Sequence, residues 1–297
     1  MYKEQITDEQ EPETRNEKLE PLRPLIIGHR GASALAPENT LASFKRAIES
    51  GADGVEFDVR LSKDGVPVVI HDATLVRTAG IDNRVAELTA TQLSSIDAGS
   101  WFNAAYPAHA RREFAAEGIP SLRSVLELLK NVEGPIYLEM KCETEDDVSA
   151  LVDAVYREIA GSHLLKQIIV KSFRLGVIPR MRAVLSGVQT AALFAPQVMR
   201  LLRKEKYMIN IAEELGADHL SVHKSLVSRK LVRKAEKVGM PVTVWTVNTV
   251  GWIPRAIRQG LFAVITNHPS KMLAARESRL PQERESPRRP PTVRDKP

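Results

Sequence analysis

From Leu25 onward, short apolar, β-branched runs alternate with stretches of helical period, and that alternation restricts the fold more than any other feature. Eight runs are expected to be strands, at 25 to 29, 54 to 59, 135 to 141, 167 to 173, 189 to 194, 218 to 223, 241 to 248 and 262 to 266. Helices are expected between most of them, over Thr40 to Ser50, Ser121 to Lys130, Glu145 to Ala160, Gly176 to Ser186, Gln197 to Leu215, Val227 to Val238 and Val250 to Gln259. Strands that alternate with helices build a parallel sheet with crossover connections. Eight such units predict an α/β protein of the (β/α)₈ TIM-barrel type, with its chemistry at the C-terminal ends of the strands.

A ninth apolar run, Val66 to Ile70, has no place in an eight-stranded barrel. It follows Leu61-Ser62-Lys63-Asp64-Gly65, and Asp-Gly between two apolar runs signals a hairpin. A β-hairpin arm should therefore extend the second strand and fold back, returning His71 to the level of Phe57 and Asp58. Residues 72 to 134 then form an insertion with one clear helix, Ser121 to Lys130. Its aromatic residues Trp101, Phe102, Tyr106 and Phe114 suit either a loop that shapes substrate access or a packed connector with a small core of its own.

Four segments sit where an apolar run gives way to a loop: His29-Arg30-Gly31, Glu56-Phe57-Asp58, His71-Asp72 and Glu139-Met140-Lys141. Strand side chains alternate faces, so Glu56 and Asp58 point one way, and so do Glu139 and Lys141. Three partly buried carboxylates facing one another repel and shed their charge unless a cation holds them. Glu56, Asp58 and Glu139 therefore predict one bound divalent cation. All three donors are oxygens with no Cys-His pattern nearby, so Mg²⁺ or Ca²⁺ fits better than Zn²⁺. Gly31 allows a sharp backbone bend behind Arg30, which would turn His29 and Arg30 into the barrel mouth. In Pro37-Glu38-Asn39-Thr40, either Asn39 or Thr40 can cap the helix that begins near Leu41.

Charge is spread unevenly over the 297 residues. The net charge is +5, residues 1 to 24 carry −3, and residues 276 to 297 carry +3. Both ends are rich in Pro, Glu and Arg and poor in core formers, so an acidic and a basic disordered tail are expected to flank a domain over 25 to 275. The basic clusters Arg200-Arg203-Lys204-Lys206 and Arg229-Lys230-Arg233-Lys234-Lys237 suit solvated outer helix faces, with transient contact to an acidic membrane surface as the second reading. No nucleic-acid partner is expected. The acidic N-terminus has no apolar signal core, and no stretch reaches the roughly 18 apolar residues of a membrane span. Cys142 is the sole cysteine. A soluble, cytoplasmic protein is the expectation, and the oligomeric state is left open.

The segment IIGHRGASALAPENTLASFKRAIESGADGVEFDVRLSKDGVPVVIHD resembles the N-terminal signature of the glycerophosphodiester phosphodiesterase family. YLEMK, VKSF, VTVWTVN and FAVITNHP are similar to that family's downstream blocks, in the same order, so that the resemblance spans Leu25 to Leu273. Two departures stand out. The family usually has Asp where this chain has Asn267, a strand-end position outside the proposed metal site, and the tails match nothing in it.

The resemblance implies metal-dependent hydrolysis of glycerophosphodiesters to sn-glycerol 3-phosphate and an alcohol. His29 and His71 would be the paired general acid and base, their assignment left open, and near-neutral imidazoles suit both roles. Arg30 and Lys141 would supply positive charge to the phosphate, Arg gripping two oxygens and Lys acting as a point charge. A Trp in a strand is ordinarily core, but the resemblance implies that Trp245 lines the glycerol pocket. It also implies that Glu38 and Asn39 buttress the His29 loop. Ser172, Phe173, His223 and Lys224 are expected at the rim. A lysophospholipase D on the same site and a non-catalytic phosphate-binding barrel are the alternatives.

Overall fold

The computed structural model describes residues 23–196 and 205–279. Most of both expected tails, and the expected helix start at Gln197 with Arg200, Arg203 and Lys204, lie outside the described residues. The strands are β1 (Leu25–His29), β2 (Gly54–Leu61), β3 (Pro67–Val69), β4 (Ile136–Met140), β5 (Ile168–Ser172), β6 (Gln189–Phe194), β7 (His219–His223), β8 (Val242–Trp245) and β9 (Ala263–Thr266). All except β3 run parallel, and β1 bonds both β9 and β2, which closes eight strands into the expected barrel.

Helix α1 (Leu41–Glu49) follows β1. The insertion carries α2 (Val76–Ala79), α3 (Ala90–Ser94), α4 (Ser100–Ala105) and α5 (Leu122–Leu128). Then α6 (Glu145–Ile159), α7 (Val177–Val184), α8 (Glu205–Glu214), α9 (Arg229–Lys237), α10 (Trp252–Gln259) and α11 (Pro269–Glu277) follow β4 to β9 in turn. Local chemistry sets the helix starts. The Thr40 hydroxyl accepts from Ser43 N at the head of α1, and Thr144 and Asp147 form a reciprocal capping box on α6.

Period-two alternation divides the strand residues. Val55, Phe57, Val59, Leu138 and Val170 face outward and pack with the helices, whereas Ile27, Tyr137, Ile169, Ala191, Ala263 and Ile265 fill the barrel interior. Tyr137 Oη lies 2.7 Å from Thr243 Oγ1, so β4 and β8 are linked across that interior. Such a filled lower barrel leaves only the C-terminal mouth for polar chemistry.

The hairpin arm forms as its Asp-Gly turn implied. β3 lies antiparallel on β2, with Val59 opposite Val69 and Leu61 opposite Pro67. Ile70 N donates to Asp58 O at 2.9 Å, and the same register sets His71 level with Phe57. The insertion is a packed connector. Val68, Ile70, Leu75, Val85, Leu93, Ala98 and Ile119 form one small core, and Ala36, Phe102 and Phe114 another. Its helices α2, α3 and α4 have four to six residues each, too few to show a helical period in the sequence.

The last helix runs past the boundary expected at 275. Arg276 Nη1 reaches Asp53 Oδ2 at 2.5 Å, and the same oxygen accepts from Ile26 N at 2.6 Å. Asp53 thus fastens α11 and β1 to the turn that enters β2, at the seam where the barrel closes. Asp53→Ala would leave the Ile26 N–H without its acceptor and remove one of the partners of the Arg276 guanidinium, a loss of about 2 kcal/mol. A melting-temperature drop of roughly 4 to 8 °C is expected for a domain of this size, and thermal unfolding followed by circular dichroism measures it.

Candidate active site

The site is built where β1, β2, β4 and β5 end. After His29 the backbone turns through two left-handed residues, Arg30 (φ 51°) and Gly31 (φ 83°). A Cβ on Gly31 would stand 2.5 Å from Ser43 of α1, so only glycine fits. The strained Arg30 is held by its carbonyl, which accepts from Ser43 Oγ at 2.8 Å and Asn39 N at 3.1 Å. That turn sends the guanidinium back over the strand ends.

Glu56, Asp58 and Glu139 are buried there, and one oxygen from each lies within 4.8 Å of the others. Three cations surround them. Arg30 Nε is 3.1 Å from Asp58 Oδ2, Lys141 Nζ is 3.1 Å from Asp58 Oδ1 and also pairs with Glu139, and Lys171 Nζ is 2.9 Å from Glu56 Oε1. Burial opposes the charged form of Asp58, yet Lys141 and Arg30 outweigh it and hold the carboxyl well below its usual range. At Glu56 burial is likewise overcome, chiefly by Lys171. The Lys141 ammonium is raised despite its own burial, through Asp58 and Glu139. Among the described residues this is the one cluster of oxygen donors arranged for a metal, and a hard divalent ion fits it.

The two histidines stand in different settings. His29 Nδ1 lies 2.7 Å from Asn267 Oδ1, a carbonyl oxygen that can only accept, so Nδ1 carries the proton and Nε2 faces Glu56 at 3.9 Å. Burial lowers the pKa of His29 below the ordinary imidazole value, against the opposing pull of Glu56. Asn267 is outside the triad, as expected, but it is the residue that orients His29. His71 Nδ1 is 2.6 Å from Asp72 Oδ1, and its carbonyl accepts from Arg60 Nε at 2.8 Å.

Arg77, on α2 of the insertion, joins the two halves of the site. Its Nε donates to Asp72 Oδ2 at 2.6 Å, and its terminal nitrogens donate to Glu38 at 3.0 and 2.7 Å. Glu38 in turn accepts from Arg30 Nη1 at 2.7 Å. One run of bonds therefore connects His71, Asp72, Arg77, Glu38, Arg30 and Asp58. Asn39 Nδ2 donates to Asp58 Oδ2 at 2.9 Å, so Asn39 braces a carboxylate while Thr40 caps α1. At the opposite rim, Trp245 stacks edge-on against Phe173 at 5.7 Å and His223 at 5.3 Å, and Lys141 Nζ lies 5.7 Å over the Phe173 ring.

The sequence pattern pointed to neither Lys171, Asn267 nor Arg77 as part of the site. Lys171 could have been found by parity, since Ile169 and Lys171 share the inward face of β5. Asn267 and Arg77 carry no such signal. Asn267 meets His29 238 residues away, and Arg77 meets Glu38 39 residues away as well as its near neighbour Asp72.

The pattern of the glycerophosphoryl diester phosphodiesterase family matches residues 29–271. The chain belongs to that family. It is thereby an enzyme of the phosphoric diester hydrolase class. A glycerophosphodiester phosphodiesterase of Caldanaerobacter subterraneus is 30% identical over 261 residues, covering 85% of this chain and 97% of that protein. Among solved structures, an Oleispira antarctica phosphodiesterase in complex with the product sn-glycerol-3-phosphate superposes with a TM-score of 0.73 at 28% identity, over 86% of this chain and 97% of that one. A Thermotoga maritima glycerophosphodiester phosphodiesterase gives a TM-score of 0.65 at 28% identity, over 84% and 97%.

The compensated carboxylates tie stability to pH. Because Asp58 and Glu56 titrate lower in the folded protein than their unfolded values near about 4, the unfolded chain binds more protons as pH falls through that range. Their contribution is complete above about pH 5 and lost progressively below about pH 4. Urea midpoints between pH 6 and pH 3 should fall accordingly. Asp58→Asn, which removes one of these groups, should flatten the fall.

Proposed function

We propose that this protein hydrolyses glycerophosphodiesters to sn-glycerol 3-phosphate and an alcohol, with one divalent cation, Mg²⁺ or Ca²⁺, held by Glu56, Asp58 and Glu139. The observation that carries this reading is a buried triad of oxygen donors flanked by Arg30, Lys141 and two histidines, in a member of this family. The Oleispira antarctica relative, bound to sn-glycerol-3-phosphate, supports the same product here. The bound ion would supply Lewis-acid polarisation of a phosphoryl oxygen.

The protein's own groups do the rest. Arg30 and Lys141, both largely buried beside the triad, offset the negative charge that the phosphodiester brings and that grows as the bond to the leaving oxygen breaks. His29, with Nε2 facing the triad, takes the proton from the nucleophile: either water, which yields sn-glycerol 3-phosphate directly, or the glycerol 2-hydroxyl, which forms a cyclic phosphodiester that water then opens to sn-glycerol 3-phosphate. His71, fixed by Asp72, gives a proton to the departing alcohol oxygen. The aromatic face of Trp245, held beside Phe173, would take the glycerol carbons.

Release of sn-glycerol 3-phosphate from glycerophosphocholine and glycerophosphoethanolamine, measured by an enzyme-coupled assay, tests the function. Turnover should vanish in excess EDTA and return with Mg²⁺ or Ca²⁺. Full turnover by protein shown to be metal-free would refute the metal site. Faster turnover of lysophosphatidylcholine than of glycerophosphocholine would favour the lysophospholipase D alternative.

Removing either histidine should lower kcat by roughly 10² to 10⁴ with the fold intact. The double variant should be scarcely slower than the worse single one, because two groups acting in one step lose little further once the first is gone. A nitrophenyl phosphodiester needs no protonation of its leaving group, so it should rescue His71→Ala and leave His29→Ala slow. Equal rescue of both, or rescue of His29→Ala alone, would overturn this assignment of acid and base.

A further inference from the structure

Lys171 is the least expected member of the site. It is 2% exposed, among the most completely buried large side chains in the protein, although lysine is rarely found fully buried unless paired. Its place follows from β5 parity, which turns Ile169 and Lys171 to the barrel interior, with the ammonium 6.0 Å over the Tyr137 ring. Nζ is 2.9 Å from Glu56 Oε1 and 3.5 Å from Glu139 Oε2, so it touches two of the three carboxylates that would bind the ion. Arg30 and Lys141 are different. Their side chains are 17% and 13% exposed, at the edge where a substrate arrives, whereas Lys171 lies beneath the triad.

Among the triad and the three basic side chains paired with it, the formal charges balance without any metal. Glu56, Asp58 and Glu139 contribute three negative charges, and Arg30, Lys141 and Lys171 three positive ones. Carboxylates left unpaired in such a place would destabilise the folded state severely, so the ammonium has a clear structural effect before an ion binds. The same ammonium has the opposite effect on the ion. A divalent cation bonded to Glu56 would share that carboxylate with Nζ, which lies 2.9 Å from its Oε1. Water screens two like charges poorly at such depth.

We propose that Lys171 is a built-in counter-ion of the metal site: it keeps the triad folded while the metal is absent and, by repelling the incoming divalent cation, sets how tightly that cation binds. The metal then joins a preformed, neutral site rather than organising an unfolded one. Its affinity is held down, so that occupancy follows the free ion concentration. This inference rests on the metal site proposed above and deepens it.

The test compares the wild type with Lys171→Gln and Lys171→Met, by calorimetric titration with MgCl₂ and CaCl₂ and by thermal unfolding in EDTA and in excess MgCl₂. Both variants remove the charge, so both should bind the ions more than about tenfold tighter than wild type, given the repulsion expected at such distances even for an effective dielectric constant of about 20. In EDTA both should melt below the wild type, and added MgCl₂ should raise their melting temperature more than it raises that of the wild type. Equal or weaker metal binding by the folded variants would overturn the role of Lys171 while leaving the metal site standing. Variants unfolded even in excess MgCl₂ would also count against it, because the ion should replace the lost charge. A wild type that binds neither ion would overturn the metal site itself, and the inference with it.

Discussion

Three carboxylates buried at one end of a closed barrel are the constraint to which the rest of the site answers. Glu56, Asp58 and Glu139 are brought together by parity and register alone, since β2 and β4 pair with Glu56 opposite Tyr137 and Asp58 opposite Glu139. Once the strands pair this way, the charges have nowhere to go. Every neighbouring strand end then supplies a cation or a hydrogen-bond donor: Arg30 from the turn after β1, Lys141 after β4, Lys171 from β5 and Asn39 from the head of α1. Burial alone would neutralise these acids, and the local cations reverse that outcome.

The same compensation extends outward and gives the insertion a purpose. Arg30 serves Asp58 and Glu38 together, and Glu38 is shared with Arg77. Arg77 belongs to a short helix whose placement depends on the small core under Leu75 and Val85. His71 and Arg30 come from separate segments, the hairpin arm on β2 and the turn after the neighbouring β1, yet both are linked through this one guanidinium. The insertion therefore orients the site from outside the barrel. Hydrogen bonds between charged groups of this kind are strong and directional, and that precision is what a site needs when it must place a phosphate between two imidazoles.

His29 depends on the far side of the seam. Its ring is set by Asn267, whose own backbone N–H is held by Asn248 Oδ1 at 2.9 Å, and the Asn267 carbonyl accepts from Ala34 N at 3.1 Å. Asparagine here provides orientation without adding another negative charge to a region that already holds three. An aspartate in its place would give the imidazole a charged partner and favour its protonated form.

The sequence by itself determined the barrel, the hairpin and the triad. Strand parity, the β/α alternation and an Asp-Gly turn are local patterns, and they carry through to Glu56, Asp58 and Glu139 on one face and to His71 beside them. Family resemblance supplied the chemistry that the residues alone left open. Only the tertiary structure decided what holds these groups in place. Residues as far apart as His29 and Asn267 meet because the barrel closes β1 onto β9, and Arg77 reaches Asp72 and Glu38 because a small core docks the insertion on the mouth. Lys171 could be assigned to the inward face from sequence. Its pairing with Glu56 and Glu139 became visible only when β5 was set beside β4, because ion pairing depends on separations of a few ångströms that no spacing along the chain encodes.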